Sequence, residues 1–357
     1  MIVGVFTDAH FSVASSILNK TSGFNYSQRL DLLIQSFSWM NQQFIENKVD
    51  MIVNAGDLMD SDFIKAREGS ALAEAFSKFT IDKPIYHLVG NHEKEDKNNK
   101  YTSVSLLDQN NLHVVINEPT KLNDEISFLP YISDVDSVDL DKISNKVLIS
   151  HMNYEGMSLG RVTLSTGINM DYASSKFELI LNGHIHTASS YHSGKILNIG
   201  SMFGHGFDDN YELSYPCIMI LDTTTLKVRR ISNPYSALFL KFRSDSLSDF
   251  IKQLRPLTKI SNSKCIKVEV PYAIRDDIRD YLEAKSADYG IIASRIHGRL
   301  DNSSILDLKT EDIQKLRSFE SGAQAMKQFT DLQSDESLPA PKVDMLNFLD
   351  EYIVVKE

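Results

Sequence analysis

Cysteine is nearly absent: Cys217 and Cys265 are the only two, 48 positions apart and without a paired spacing. That usage argues against a disulfide framework and favours a reducing compartment. Glycine and proline are also sparse, 16 and 9 of 357 residues, about 7% against roughly 12% on average, so most of the chain should be regular structure. No apolar run approaches the roughly 18 residues a membrane span needs. The opening MIVGVFTDAH lacks a basic leader region, so a cytoplasmic protein is expected. Two catalytic signatures are missing as well. No GxSxG elbow accompanies Ser150-His151, and no GxxxxGKS or GxxxxGKT loop is available for ATP hydrolysis.

What is present is ordinary for a folded globular chain, with 42% hydrophobic and 24% charged residues, which excludes a disordered or fibrous protein. The length predicts two domains, or one large domain with an appendage. The formal net charge is −11, which argues against binding nucleic acid by bulk charge. The charge is uneven, however. Residues 227–300 hold 15 basic and 8 acidic side chains, while the first 226 hold 16 basic against 28 acidic. An acidic body followed by a basic segment is the asymmetry expected of a contact with an anionic partner.

Periodicity predicts alternating strands and helices in the first part. Ile2 to Phe6 reads as a strand, and Leu30, Leu33, Ile34, Phe37, Met40, Phe44 and Ile45 recur at helical spacing. Met51 to Val53 and Ile85 to Val89 read as further strands, separated by a helical pattern from about Phe63 to Phe79. This βαβαβ order implies a parallel sheet covered by helices. The later, closely spaced strands predict a second, largely antiparallel sheet packed on the first. Beyond Asn233–Pro234, an α+β segment suits a small separate lobe. A polar stretch from Ser334 to Pro341 reads as a linker, and Val343, Leu346, Leu349 and Ile353 fall on one helical face after it. The expected division is therefore 1–233, 234–300 and 301–357.

The informative pattern is where Asp, Asn and His fall. Five predicted strands run into Asp8-Ala9-His10, Gly56-Asp57, Gly90-Asn91-His92-Glu93, Ser150-His151 and Gly183-His184-Ile185-His186. In open α/β sheets the carboxyl ends of the strands form the crevice where ligands bind. Imidazole, carboxylate and amide oxygen without thiolate suit Mn, Fe, Zn or Co. So many groups exceed one tetrahedral ion and suit two ions sharing a carboxylate. On an extended segment Asp8 and His10 would point to one side. Gly56, Gly90 and Gly183 would let the backbone turn sharply. The histidines His87, His113, His192, His205 and His297 lack this context and read as structural or surface groups.

DxH, GDxxD, GNHE, a lone His and GHxH, in this order over residues 1–232, resemble the calcineurin-like metallophosphoesterase superfamily. Gly56-Asp57-Leu58-Met59-Asp60, Leu129-Pro130-Tyr131 and Ile199-Gly200-Ser201 resemble the Mre11/SbcD nuclease family within it, and RRISNPY is similar to its phage recombination endonuclease subunits. The resemblance implies a four-layer α/β/β/α sandwich with a small α+β capping domain and a C-terminal helical segment. It implies two divalent metal ions, with manganese the expected metal and magnesium, iron or zinc compatible. Asp8, His10, Asp57 and His186 would hold the first, and Asp57, Asn91, His151 and His184 the second. His92 would be the general acid in phosphodiester hydrolysis, with Glu93, where the family usually has Asp, orienting its ring. It further implies DNA as substrate, with Lys227, Arg229, Arg230, Lys241 and Arg243 as candidate phosphate contacts, together with a homodimer and a Rad50- or SbcC-like ATPase partner.

Overall fold

The computed structural model describes residues 1–299, apart from 14, 16, 22, 97–99, 108–112, 160–161 and 208–214. The predicted C-terminal linker and helix lie outside the described residues. Chain order is β1 (Ile2–Phe6), α1 (Gln28–Glu46), β2 (Met51–Asn54), α2 (Ala66–Ser77), β3 (Ile85–Leu88), β4 (His113–Ile116), β5 (Thr120–Lys121), β6 (Ile126–Leu129) and β7 (Val147–Ser150). There follow β8 (Ser158–Leu159), β9 (Val162–Thr163), α3 (Met170–Lys176), β10 (Leu179–Asn182), β11 (Ser189–Tyr191), β12 (Ile196–Asn198), β13 (Cys217–Asp222) and β14 (Lys227–Ser232). The last part holds β15 (Leu238–Arg243), α4 (Leu247–Leu254), β16 (Lys264–Pro271), α5 (Arg275–Lys285) and β17 (Ile291–Arg299).

Two six-stranded sheets face each other. The first has the order β14-β13-β1-β2-β3-β4, with β1 to β4 parallel and β13 antiparallel to β1. The second has the order β11-β12-β10-β7-β6-β5. Its four inner strands, β12, β10, β7 and β6, are parallel, and only the edges β11 and β5 pair antiparallel. The expected largely antiparallel second sheet is therefore wrong. Short spacing between strands concealed real crossovers, one of them through α3.

Period-two alternation builds the layers. Val3, Val5, Met51 and Val53 point from the first sheet onto Ile126, Phe128, Val147, Ile149, Leu179 and Leu181 of the second. Phe6 and Ile52 turn the other way, under Leu33, Phe37, Met40 and Phe44 of α1 and Leu72 of α2. The outer face of the second sheet packs Leu148 and Ile180 beneath Met170, Ala173 and Phe177 of the α3 region. Four layers result, as expected. Gly4 permits the tightest helix contact, since a Cβ there would lie 2.5 Å from the Phe44 ring. Helix α1 begins where the Ser27 side chain accepts a hydrogen bond from the Leu30 amide.

Residues 1–298 form one compact unit. Within it β15 and β16 pair in parallel, and with β17 they make a three-stranded sheet whose Ile266, Val268 and Val270 pack on Phe250 and Leu254 of α4 and Ile278 and Leu282 of α5. Strand β15 went unread in the sequence, because LFLKFR alternates only weakly. The opposite side of this sheet joins Phe239 and Cys265 to Leu18. No helix among the described residues is long and apolar enough to cross a membrane.

Candidate metal centre

The parallel strands β1, β2, β3, β7 and β10 end on one edge, and the loops leaving them supply the predicted residues. Around His10 Nε2, Asp8 Oδ1 lies at 3.8 Å and Asp57 Oδ2 at 3.7 Å, while His186 Nε2 is 3.9 Å from Asp8 Oδ1. On the other side of Asp57, the same Oδ2 is 3.2 Å from His151 Nε2. Asn91 Oδ1 is 3.2 Å from His151 Nε2 and 2.8 Å from His184 Nδ1. The predicted ligands therefore gather as two groups that share one carboxylate oxygen.

The first group fits a cation by its spacing and by its unmet polarity. Ligand atoms at about 2.1 Å from a common ion stand roughly 3.0–4.2 Å apart for angles between 90° and 180°. The observed 3.7–3.9 Å falls in that window and is too long for direct hydrogen bonds. Asp8 Oδ1 and His10 Nε2 are buried with no hydrogen-bond partner among the described residues. Burying such groups unpaired is costly, and an ion would satisfy both.

Three of the four imidazoles are anchored by an outer nitrogen. His10 Nδ1 is 2.9 Å from Asp60 Oδ1, His151 Nδ1 is 2.7 Å from the Ala55 carbonyl, and His184 Nε2 is 2.8 Å from Asn153 Oδ1. These bonds fix the tautomers and leave the inner nitrogens as lone-pair donors. Electrostatics agree. Burial raises the Asp8 and Asp57 carboxyls, but the surrounding imidazoles, His10 first for Asp8 and His151 first for Asp57, more than reverse this and hold both low. Burial lowers His10, yet Asp60, Asp8 and Asp57 outweigh it and lift it to about 10. His151 rises to about 9 against its own burial, chiefly through Asp57. Burial, then His151, lowers His184 to about 4. Without ions the centre balances buried carboxylates with protons on imidazoles, and cations would replace those protons.

The turns are not made as the sequence implied. Of Gly56, Gly90 and Gly183, only Gly56 has a positive φ, +105°. The candidate ligands themselves turn the chain: φ is 51° at Asp8, 47° at His10, 51° at Asp57 and 73° at His184. Asp8 and His10 converge through two left-handed residues, so the extended-segment explanation fails. Gly90 is required for space, because a Cβ would stand 2.0 Å from Asp57 Oδ1 and 2.5 Å from its backbone nitrogen.

His92 lies at the exposed edge, its ring centroid 4.7 Å from that of His10. Its Nδ1 is 3.2 Å from the Asp60 carbonyl and its backbone amide donates to Asp57 Oδ1 at 3.0 Å. Glu93, expected to orient this ring, has a different position. Fully buried, it accepts from the amides of Leu58 at 2.6 Å, Met59 at 3.0 Å and Gly90 at 2.8 Å. The extra methylene lets its carboxylate reach under the Asp57 loop, so it shapes the backbone while Asp60 faces His92. Of the basic candidates, Lys227, Arg229, Arg230, Lys241 and Arg243 are all exposed. Register sets Lys227 level with Asp222 and Ile2, at the far end of β1 from Asp8. Arg229 bonds Asn47 Oδ1, and Arg230 donates to Cys217 Sγ at 3.2 and 3.3 Å.

Three further residues belong to the site. His205, read as a structural or surface group, lies 4.2 Å from His186 with its ring tilted and 4.4 Å from His10 edge-on by ring centroids, and its Nε2 donates to the Asp8 carbonyl at 2.9 Å. Buried Arg29 joins the loops, donating to the carbonyls of Gly204 at 2.9 Å and His10 at 3.1 Å and approaching His205 Nδ1 at 3.3 Å. Asp60 was visible as the second Asp of GDLMD. Arg29 and His205 carried no local signal, since neither follows a strand.

The sequence profile of the calcineurin-like phosphoesterases matches residues 1–188, more than half of the chain. No curated protein matches it. Solved structures similar to this chain include TT1561 of Thermus thermophilus, at 11% identity and a TM-score of 0.39, over 65% of this chain and 98% of that one. A dimetal phosphatase from Danio rerio is similar at 10% identity and a TM-score of 0.37, again over 65% of this chain and 98% of that one.

Proposed function

The chain belongs to the calcineurin-like phosphoesterase family, and within it we propose a DNA nuclease subunit that hydrolyses phosphodiester bonds in break processing and recombination beside a Rad50- or SbcC-like ATPase. The observation that carries phosphoester hydrolysis is the sharing of Asp57 Oδ2 between His10 at 3.7 Å and His151 at 3.2 Å, which makes two adjoining ligand groups. Two divalent ions held there supply charge to a phosphoryl group and acidify water. Asp8, His10, Asp57 and His186 would hold one, and Asp57, Asn91, His151 and His184 the other. His92 donates Nδ1–H to the Asp60 carbonyl, which leaves Nε2 to carry a proton to the leaving oxygen. Asp60 thus positions both the acid and His10.

Support for DNA comes from the GDLMD and LPY motifs and from the basic sheet β15–β17, on which Lys241 and Arg243 are exposed. Phe63 and Leu106, each 70% exposed, offer apolar surface for the homodimer in this reading. The net charge of −11 favours a second reading, a stand-alone phosphoesterase acting on a nucleotide, a phosphoprotein or a small phosphodiester. The test is hydrolysis of labelled duplex DNA with Mn²⁺, with and without the ATPase, beside bis-p-nitrophenyl phosphate. Cleavage of the small ester alone under both conditions overturns the nuclease reading. His92→Gln should keep both ions by elemental analysis while turnover falls about 10²–10⁴-fold. Wild-type turnover in that variant would remove His92 as the acid.

A further inference from the structure

The first ligand group leans on a segment that supplies none of its candidate ligands, residues 201–207, a few positions past β12. Ser201 N donates to the His186 carbonyl at 3.0 Å, and Met202 N donates to the Thr7 carbonyl at 3.0 Å. His205 Nε2 donates to the Asp8 carbonyl at 2.9 Å, and its ring centroid lies 4.4 Å from that of His10 and 4.2 Å from that of His186. Arg29 bridges the carbonyls of His10 and Gly204, at 3.1 and 2.9 Å. Every ligand of the first group except the shared Asp57 is therefore tied to this segment, directly or through Arg29. The second group is anchored elsewhere, His151 by the Ala55 carbonyl and His184 by Asn153.

The same segment is fastened to the three-stranded sheet β15–β17. Gly204 N donates to the buried Ser236 Oγ at 2.9 Å, and Ser236 Oγ donates in turn to the Ala237 carbonyl at 3.1 Å, just before β15. Asn233 Nδ2 donates to the Met202 carbonyl at 2.8 Å, while the Asn233 carbonyl accepts from Asn262 Nδ2 at 2.7 Å, two residues before β16. The half-buried Phe207 meets the Phe239 ring of β15 edge-on, with centroids 5.4 Å apart, in a cluster with Leu18 and Cys265. Hydrogen bonds and an aromatic pair thus connect the sheet to the segment, and the segment to the ligands.

We infer that the sheet β15–β17 positions the ligands of the first ion: Ser236 and the Phe207–Phe239 pair fix residues 201–207, and that segment fixes Asp8, His10 and His186. The inference rests on the two-ion reading of the centre and gives Ser236, Phe207 and Phe239 the part of positioning residues. Metal ligands tolerate only about 0.2 Å of displacement, and losing a group that holds them weakens binding about 10–100-fold. The dependence is one-sided. The second ion should be indifferent to the same residues, because its ligands are held by Ala55 and Asn153.

The test is Mn²⁺ binding to the full-length chain, read from the electron paramagnetic resonance of the free ion, in two backgrounds. Asn91→Ala leaves the first group as the tighter site, and His186→Ala leaves the second. In the Asn91→Ala background, Ser236→Ala and Phe207→Ala should each weaken Mn²⁺ binding about 10–100-fold. In the His186→Ala background they should change it by about twofold or less. Ser236→Thr keeps the accepting oxygen and Phe207→Tyr keeps the ring, so both should bind Mn²⁺ as their parent does. Val268→Ala controls for general loosening, since Val268 packs on α4 and α5 from the other side of the sheet, and it should alter neither background. Unchanged binding in both alanine variants of the Asn91→Ala protein overturns the inference. So does equal weakening by Val268→Ala, by the two conservative variants, or in both backgrounds. A wild-type chain that binds no Mn²⁺ removes the metal-centre reading and this inference with it, whereas two bound ions indifferent to both alanine variants remove the inference alone.

Discussion

Gly90→Ala isolates how the shared carboxylate is held. Gly90 has no positive φ, so the substitution introduces no backbone penalty of that kind. Its cost is contact: the new Cβ would stand 2.0 Å from Asp57 Oδ1, 2.5 Å from Asp57 N and 2.7 Å from Asp57 Cγ. An ordinary carbon–oxygen contact needs about 3.4 Å or more, so the Asp57 loop must move by at least roughly 1 Å. Metal ligands tolerate only about 0.2 Å, and a 1 Å misplacement costs on the order of 10²-fold in rate. Because Asp57 Oδ2 faces both groups, both ions should be weakened together. The expected result is fewer than two bound ions by elemental analysis, turnover down about 10²-fold, and about 1–3 kcal/mol lost from overpacking. Gly194→Ala is the control, with φ at +90° and nothing within 4 Å of the added Cβ. It should lose about 1 kcal/mol of stability and no metal. A Gly90→Ala protein that retains two ions and at least half of wild-type turnover would refute the reasoning.

Other expectations are independent of that variant. Burial, then His113, depresses buried His87 to about 3, so between pH 6.5 and 3 the unfolded chain binds a proton that the folded chain does not. Its contribution is complete above pH 6.5 and shrinks by about 2 kcal/mol on going to pH 5, and His87→Leu should flatten that slope in urea titrations. Mn²⁺ at about 1,000 times its Kd should stabilise the fold by about 4 kcal/mol per site, and an unchanged Tm between Mn²⁺ and chelator would exclude tight binding. Since His10 lies near 10 and His151 near 9 without ions, loading at pH 7 should release about two protons, measurable by calorimetry in two buffers. Arg29→Lys cannot span the carbonyls of His10 and Gly204 together with His205, so it should lose the first ion and keep the second.

The legible parts of the sequence are those where one local rule acts alone. The strands β1, β2 and β3 are short apolar runs, and α1 repeats its apolar residues at helical spacing, so the βαβαβ order could be read directly. Strand direction in the second sheet could not, because β6, β7, β10 and β12 become parallel through crossovers that strand spacing does not encode. The candidate ligands stood out by chemical type and by following strands. Asn153, Arg29 and His205 did not, since each acts through a partner distant in the chain: 31 positions for Asn153 with His184, and 176 for Arg29 with His205. Glu93 was visible but misread, because the carboxylate's targets are backbone amides and backbone has no sequence signature.

Left-handed backbone at Asp8, His10, Asp57 and His184 shows how the chain itself builds the centre. Each such residue costs roughly 1–3 kcal/mol unless its surroundings enforce the conformation. Here the first two ligand loops enforce each other. Beyond the last paired residues of β1 and β2, Asp8 N donates to the Gly56 carbonyl at 3.0 Å, His10 N to that of Asp57 at 3.0 Å and Phe11 N to that of Leu58 at 2.7 Å. Parallel pairing thus continues through the kinks as far as a bridge between Phe11 and Met59. Glu93 ties the Leu58 and Met59 amides to the third loop from beneath, and Arg29 ties the His10 carbonyl to the loop bearing His205. These hydrogen bonds hold the ligand loops, so the strain is offset within the protein. Ion binding then has little reorganisation to drive, and its free energy goes into affinity rather than into assembling the site.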